Sequence, residues 1–393
     1  MTILCIATYL KGHAFIEECH RLGCRVVLLT IEALAEAAWP RDAIAEIHTI
    51  RRDSTDDQIR RTVAGIARRH RIVRLAALDD FDVEMAGMLR EFLQVPGFGR
   101  TVSARFRDKL TMRTTARRLG LRVPEFTGAF NDDEINGWAD RVPAPWVLKP
   151  RSAAASIGVK KIANRDALWP ALHAAGGDRP LCLLEAFVSG DVFHVDAIVR
   201  HGRVVAAVAS KYRTPPMRIA HDGGVFVTRR LPDDACDATA LLEANRALLE
   251  GFELSNGVSH SEFIGGPDGP VFLETSARVG GAFIVDVIET ATGLNLWKEW
   301  ARVEIAGDDG AYDPPAVRPD IAGIALCLST QEHPDLSAYD DAEIVMKIRK
   351  PHHAGIIVRA PSAARVDALL GDYEQRFTRD FLARLPAPER PLE

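Results

Sequence analysis

The first hundred residues alternate short apolar runs with segments in which apolar residues recur every three or four positions. The run from Thr2 to Ala7 predicts a strand, the pattern from Phe15 to Leu22 predicts a helix, and Arg25 to Thr30 predicts a second strand. The same alternation continues through a helix over 57–70, a strand over 74–78 and a helix over 83–93. Such an order predicts a small open α/β domain with a parallel sheet over residues 1–104.

Beyond about Arg105 the pattern changes to a helix followed by β-rich, glycine-punctuated segments. The stretch from Gly307 to Pro319 contains three prolines and has the composition of a linker or surface loop. Strand-like runs over 321–328 and 355–359 and a helix over 363–377 follow it. We therefore predict a mixed α/β and α+β protein in three parts: the N-terminal domain, a central domain over 105–306 and a C-terminal α/β lobe over 307–393.

Composition narrows the classes of function. The 393 residues are 47% hydrophobic with a net charge of −5, so large cores are expected and no basic surface for nucleic acid is indicated. Apolar runs stay shorter than the roughly 20 residues that span a bilayer, and we expect a cytoplasmic protein without membrane contact. The six cysteines form no C-x-x-C pair, which favours reduced thiols over a zinc site.

Two features of the N-terminal domain concern ligand binding. Gly12 is the only glycine in the first strand-to-helix turn, so the three-glycine fingerprint of dinucleotide sites is missing, and we interpret the domain as scaffold and substrate wall. Asp79, Asp80 and Asp82 follow a predicted strand at its carboxyl end, where open α/β sheets bind ligands. The alternative is a solvated acidic turn that caps the helix starting near Val83.

Six short motifs, each weak alone, follow one another in a fixed order. They are Arg107-Asp-Lys-Leu-Thr-Met-Arg113, Val147-Leu-Lys-Pro150, the small-residue run 151–159, the apolar run 183–188, Ser259-His-Ser-Glu-Phe263 and Phe272-Leu-Glu-Thr-Ser-Ala-Arg-Val-Gly-Gly281. The ordered set resembles the ATP-grasp superfamily, and within it the carboxylate–amine ligases similar to the synthetase half of carbamoyl phosphate synthase. The resemblance is strong over 105–305 and looser over the N-terminal domain. It implies two α/β subdomains that clamp ATP.

The resemblance implies that Lys109 and Lys149 hold the α- and β-phosphates. Lys149 ends an apolar strand, where a lone ammonium group needs a partner, whereas Lys109 taken alone favours a surface lysine in a basic helix. Ser156 lies in the run 151–159, which resembles the family's flap over the phosphates. This run has only Gly158 as glycine, and a plain solvent loop is the alternative.

The adenine contacts are expected at the end of a second apolar strand. The resemblance implies that Glu185, Ala186 and Val188 contact the base, the last two through the main chain. Seven residues beyond the hinge glutamate the family usually has a second glutamate for the ribose, and this chain has Val192 instead.

Asp191 and His194 are the nearest replacements for that ribose ligand, and His194 shares a strand face with Val192. Two alternatives are open for His194 together with Asp196. The pair faces the acceptor substrate, or it is a satisfied pair in the core.

Glu262 and Glu274 are the predicted magnesium ligands. Each ends an apolar strand segment, and the turn 265–269 joins the two segments as a hairpin. Two neighbouring carboxylates repel one another without a cation, and Mg²⁺ prefers such oxygen ligands, so we expect either Glu→Gln change to raise the stability of the metal-free protein. Ser276 stands where the family usually has a metal-binding asparagine, and it is the third expected ligand.

The resemblance implies that Arg278 stabilises the transferring phosphoryl group and the acyl phosphate. Residues 211–226 contain two prolines and two glycines without clear periodicity, which predicts a lid. Lys211, at the strand end of this segment, is the second predicted catalytic residue. His260 shares a strand face with Glu262 and is expected near the same pocket.

Together these residues predict an ATP- and Mg²⁺-dependent ligase that joins a small carboxylate and an amine through an acyl phosphate, releasing ADP and phosphate. Two alternatives are open. One is an ATP-grasp carboxylase or kinase. The other is a nucleotide-binding module without turnover, which the departures from the family pattern at Val192 and Ser276 support. The default expectation for the assembly is a homodimer. The sequence leaves the substrates open.

Overall fold

The computed structural model describes residues 1–154 and 157–383. Its first sheet is parallel and lies in the N-terminal domain, with the strand order β3-β2-β1-β4. Helices connect the strands, so the predicted open α/β domain is confirmed. Its elements are β1 (Thr2–Ile6), α1 (His13–Arg21), β2 (Arg25–Ile31), β3 (Glu46–Ile50), α2 (Asp56–Ala67), β4 (Ile72–Ala77), α3 (Val83–Leu93) and α4 (Arg100–Arg105).

A small antiparallel sheet follows, with the strand order β5-β8-β6-β7. Helices cover it, and their apolar faces close a separate core in which Trp138 and Trp146 pack with ring centroids 5.7 Å apart. The elements are α5 (Lys109–Arg118), β5 (Phe126–Gly128), α6 (Asp132–Arg141), β6 (Trp146–Pro150), β7 (Lys160–Ile162), α7 (Arg165–Ala174) and β8 (Cys182–Ala186).

The largest sheet is antiparallel and has the strand order β13-β12-β9-β10-β11-β14-β16-β15. Its strands are β9 (Val192–Arg200), β10 (Arg203–Tyr212), β11 (Phe226–Arg230), β12 (Gly257–Ile264), β13 (Val271–Ser276), β14 (Ile321–Leu328), β15 (Ile344–Lys347) and β16 (His353–Ala360). The helices of this region are α8 (Pro216–Asp222), α9 (Cys236–Gly251), α10 (Ile284–Thr292), α11 (Leu296–Ala306) and α12 (Ala363–Asp380).

The C-terminal lobe has no sheet of its own among the described residues. Its first strand, β14, pairs with β11, so β14 to β16 extend the sheet of the central region. The predicted strand over 321–328 and the helix beginning at Ala363 are confirmed, and 307–319 forms neither helix nor strand. The residue limits of the three predicted domains stay a prediction.

One hydrophobic core joins the N-terminal domain to the large sheet. Phe15 on α1 packs on Trp300 of α11 with ring centroids 4.9 Å apart, and Phe106 packs on Phe252 at 5.6 Å. The six cysteines are free thiols, and Cys236 is the exposed one. Within the described part of the chain, no helix combines the length and apolarity that crossing a membrane requires. The shared core fixes residues 79–82 against the segment after β13.

Candidate active site

A cleft of about 920 Å³ lies between the small sheet and the large sheet. Its volume is typical of sites for small molecules. Most of the predicted nucleotide and metal residues line it, namely Lys109, Lys149, Glu185, Ala186, Val188, Glu262 and Glu274. Ser156, predicted for the flap, lies outside the described residues.

Lys149 and Glu185 form a buried ion pair on neighbouring strands. Lys149 Nζ lies 2.5 Å from Glu185 Oε1, which supplies the partner that the apolar strand required. Burial lowers the pKa of Lys149 to about 8, although Glu185 opposes this. Arg113 Nε donates to the other oxygen of Glu185 at 3.0 Å, and the two cations lower the pKa of Glu185 although burial raises it. The sequence motif contained Arg113, four residues after Lys109 on one helix face, and that spacing could have identified it.

Lys109 is buried rather than a surface lysine. Its Nζ lies 2.9 Å from Glu274 Oε2 and donates to the carbonyl oxygen of Ala153 at 2.6 Å. Burial raises the pKa of Glu274, but Lys109 and Lys149 outweigh it and lower this pKa to about 2. Lys109 thus links the Glu274 carboxylate to the backbone of the predicted flap.

Glu262 and Glu274 face one another across the β12–β13 hairpin, as predicted. The hydroxyl of Tyr212 donates to Glu262 Oε1 at 2.9 Å. The two carboxylates are the hard oxygen ligands that suit Mg²⁺. They are also held by other partners, so the expected gain in stability on removing one charge is not supported by the structure.

Tyr212 replaces Lys211 on the face that bears the carboxylates. Side chains alternate along a strand, and Lys211 pairs with Phe193 on the opposite face, where its ammonium lies 2.5 Å from Asp191. The structure therefore does not support Lys211 as a catalytic residue. The sequence indicated this strand, but not which of its faces carries Lys211.

The adenine end of the cleft is apolar. Ala186 and Val188 lie along one wall, and Ile264 and Leu273 along the other. The N–H of Ala186 donates to the Glu125 carbonyl at 2.7 Å, so this N–H is not free for a ligand. Among the described residues the N–H of Val188 has no hydrogen-bonded partner.

Neither ribose candidate lines the cleft. Asp191 pairs with Lys211 on the other face of the sheet. His194 is buried, with Nδ1 2.6 Å from Asp196 Oδ2 and Nε2 2.8 Å from Thr228 Oγ1. Since both ring nitrogens are engaged, the structure favours the satisfied core pair and does not support a ribose contact.

Asp196 holds a second histidine. His260 Nδ1 lies 2.8 Å from Asp196 Oδ1, and this carboxylate raises the pKa of His260 to about 9 although burial lowers it. Gly280 packs against the pair, because a Cβ at that position would lie 2.9 Å from Asp196 Oδ1 and 3.0 Å from His260 Nδ1. Glycine at position 280 thus allows the chain to pack closely against this buried cluster.

Arg278 meets Asp80 of the N-terminal domain. Its Nη2 lies 3.3 Å from Asp80 Oδ2, and Arg107 Nη1 lies 3.5 Å from the same oxygen. Burial raises the pKa of Asp80, but Arg278 and Arg107 lower it to about 2. Ser276 donates its hydroxyl to Asp80 and does not line the cleft, so the structure does not support Ser276 as a metal ligand.

The acidic turn before α3 is buried rather than solvated. Asp79 accepts from the N–H of Phe81 at 3.1 Å and pairs with Lys11. Asp82 accepts from the backbone and hydroxyl of Thr8, and burial raises its pKa to about 7. The turn is therefore not solvated, and its carboxylates are held by partners within the protein, so its place in a ligand site stays a prediction.

The predicted lid segment contains a short helix, α8. Residues of α8 line the cleft opposite the strands of the small sheet. His221 Nε2 lies 2.9 Å from the carbonyl oxygen of Val159, so the lid touches the end of the predicted flap.

Comparison with solved structures identifies the fold. The L-amino acid ligase from Bacillus licheniformis superimposes with a TM-score of 0.74 over 97% of this chain and 98% of that one, at 17% identity. The parallel domain, the small sheet and the large antiparallel sheet correspond to the ATP-grasp fold. The chain therefore has the ATP-grasp fold.

Relatives of known activity are also similar in sequence. The L-arginine-specific L-amino acid ligase of Bacillus subtilis is 23% identical over 230 residues, which cover 56% of this chain and 55% of the enzyme. A D-alanine–D-alanine ligase of Anaeromyxobacter dehalogenans (strain 2CP-C) is 28% identical over 236 residues, or 55% of this chain and 71% of that ligase. The chain thus matches about half the length of the first of these relatives. No protein-family model matches it.

Proposed function

We propose that this chain is an ATP-dependent carboxylate–amine ligase that works through an acyl phosphate and releases ADP and phosphate. The observation that carries the proposal is one cleft with Lys109, Lys149 and the opposed pair Glu262 and Glu274. The similarity to two kinds of amino acid ligase supports it.

In this proposal the lysines bind the phosphates of ATP. Lys109 and Lys149 reach the cleft from a helix and a strand, so they approach the phosphates from different walls. Adenine lies between Val188 and Leu273, where the free N–H of Val188 supplies a donor for the ring. Neither of the residues predicted to contact the ribose, Asp191 and His194, is placed to do so.

Glu262 and Glu274 would hold Mg²⁺, and their oxygen donors fit this ion. When bound, Mg²⁺ supplies positive charge that the developing phosphoryl group needs. With its carboxylate on the ion, Glu274 would leave the ammonium group of Lys109 for the phosphates. Tyr212 keeps Glu262 oriented through its hydroxyl.

Arg278 would stabilise the transferring group. Its Nε is buried without a hydrogen-bonded partner among the described residues, so one N–H is available for an oxygen of the substrate. Asp80 fixes the same guanidinium from the N-terminal domain. A substrate carboxylate oxygen attacks the γ-phosphorus, ADP leaves, and an amine then attacks the acyl carbon and displaces phosphate.

We infer amino acids as both substrates. The names of the L-arginine-specific L-amino acid ligase and of the D-alanine–D-alanine ligase each specify amino acids.

The test is the identity of the products with ATP, Mg²⁺ and pairs of amino acids. We expect ADP and phosphate, and one labelled oxygen in phosphate from a carboxyl-¹⁸O substrate, because the acyl phosphate transfers that oxygen. Arg278→Ala should slow hydroxamate formation with hydroxylamine roughly a hundredfold, the loss of one oxyanion-type donor. AMP and pyrophosphate, or phosphate without label, would refute the mechanism. ATP turnover that only bicarbonate stimulates would indicate a carboxylase instead.

A further inference from the structure

A second cavity of about 220 Å³ lies where the N-terminal domain meets helix α11, and we call it the rear cavity. It shares no lining residue with the nucleotide cleft. The charged and amide side chains that line it are Arg74, Arg90, Glu253, Asn256, Glu304 and Asp308.

The two arginines of the rear cavity have no carboxylate partner within 4.0 Å among the described residues. Arg90 is 5% exposed and donates to the carbonyl oxygens of Phe98 at 3.2 Å and Leu75 at 2.8 Å. Arg74 Nε donates to the backbone carbonyl of Glu304 at 2.9 Å. Carbonyl dipoles satisfy N–H groups, but they leave the positive charge of a buried guanidinium without a counterion.

Glu304 is a carboxylate of the rear cavity, and it forms no ion pair among the described residues. Its Oε1 accepts from Trp300 Nε1 at 3.0 Å, and its other oxygen has no hydrogen-bonded partner among the described residues. Burial raises the pKa of Glu304, although Arg90 and Arg74 oppose this from a distance. Two guanidinium groups and the Glu304 carboxylate therefore line one cavity without forming ion pairs with one another. A ligand with a negative and a positive group could pair with both kinds of side chain.

Gly307 builds the wall beside Arg74. It ends helix α11 with a φ of +55°, and a Cβ there would lie 1.9 Å from Arg74 Nη2. Only glycine allows this turn and the guanidinium to occupy the same place. The position of Arg74 is therefore fixed by the fold and does not depend on a ligand.

We propose that the rear cavity binds a small zwitterion of the free amino acid class, with its carboxylate at Arg74 and Arg90 and its ammonium at Glu304. The volume equals about seven waters at roughly 30 Å³ each, which is enough room for glycine or alanine. The proposal does not depend on the ligase activity, because the cleft and the rear cavity have separate linings.

Calorimetric titration of the full chain with glycine and with L-alanine tests this. We expect Glu304→Gln to weaken the binding at least tenfold, since the ammonium loses its charged acceptor while Trp300 keeps an oxygen to donate to. Glu250→Gln, an exposed site on α9 with the same change of charge, should bind like the wild type. Acetate and methylammonium, each with half of the zwitterion, should bind at least tenfold more weakly than glycine.

A second variant removes space instead of charge. Ser255 lines the rear cavity, and Ser255→Leu should abolish the binding with the charges intact. Thermal melting shows whether each variant folds. Binding to the ligase site would survive both changes, so wild-type affinity in both folded variants would overturn the proposal. The absence of any binding to the wild type at millimolar glycine would overturn it as well.

Discussion

The two lysine–glutamate pairs of the cleft differ in how tightly the protein encloses them. The side chain of Glu185 is 4% exposed and contacts two cations, Lys149 and Arg113. The side chain of Glu274 is 33% exposed, and among the described residues it forms one ion pair, with Lys109. The first pair is part of the folded core, whereas the second lies at the surface of the cleft.

This difference distinguishes a carboxylate that keeps its partners from one that can exchange its partner for a metal ion. Although Glu185 lines the cleft, it is buried between two cations, so we expect it to hold Lys149 whether or not nucleotide is present. Glu274 can leave Lys109 for a metal ion, because water reaches it and Glu262 stands opposite. The contrast predicts that removing Glu274 impairs activity and that removing Glu185 impairs folding.

The largest effect is expected for Glu274→Gln. It should reduce Mg²⁺-dependent turnover on the order of a thousandfold, because metal charge worth several kcal/mol is lost. Its free energy of unfolding should fall by less than about 1 kcal/mol, as is usual for a partly exposed ion pair. Product assays over a range of Mg²⁺ concentrations and urea denaturation measure the two quantities.

The urea experiment also decides between two accounts of the hairpin. Repulsion between Glu262 and Glu274 would make Glu274→Gln more stable than the wild type, which was the expectation from sequence. Near-normal turnover of this variant at saturating Mg²⁺ would show that Glu274 is not a ligand of the metal ion.

For Glu185→Gln we expect the main effect on stability. Removing one member of a buried ion pair typically costs about 3 to 5 kcal/mol, because Lys149 and Arg113 keep their charges without a counterion. Urea denaturation measures this loss, and the exposed Glu250→Gln on α9 is the matched control. A loss similar to that of Glu274→Gln would show that the two pairs do not differ as we argue.

The sequence was sufficient for elements with a strong period and for residues within one hairpin. Helix α3 and strand β14 have the predicted limits, because their apolar residues face one core. Glu262 and Glu274 could be paired from the short turn between their strands. Local pattern determines such contacts.

Contacts between distant segments could not be predicted in the same way. Asp80 and Arg278 are separated by 198 positions, and their pairing depends on how the N-terminal domain packs on the large sheet. For Lys211 the strand was predicted but its face was not: its side chain lies on the face opposite to the carboxylates, because side chains alternate from residue to residue. Ser276 could not be assigned without its partner Asp80.

The smallest effect is expected at the lid, where neither charge nor metal is involved. His221 places Nε2 2.9 Å from the Val159 carbonyl and Nδ1 2.7 Å from the Met217 carbonyl. Carbonyl oxygens only accept, and a neutral ring has one N–H, so it serves one of the two at a time. His221→Ala should therefore weaken the contact between lid and flap by about 1 kcal/mol or less, seen as faster amide exchange in 157–160 and 216–222 without nucleotide.

A non-hydrolysable ATP analogue should slow exchange in both segments of the wild type, and His20→Ala on the exposed face of α1 should change neither. Equally strong protection with and without the analogue would mean that these segments do not act as a lid.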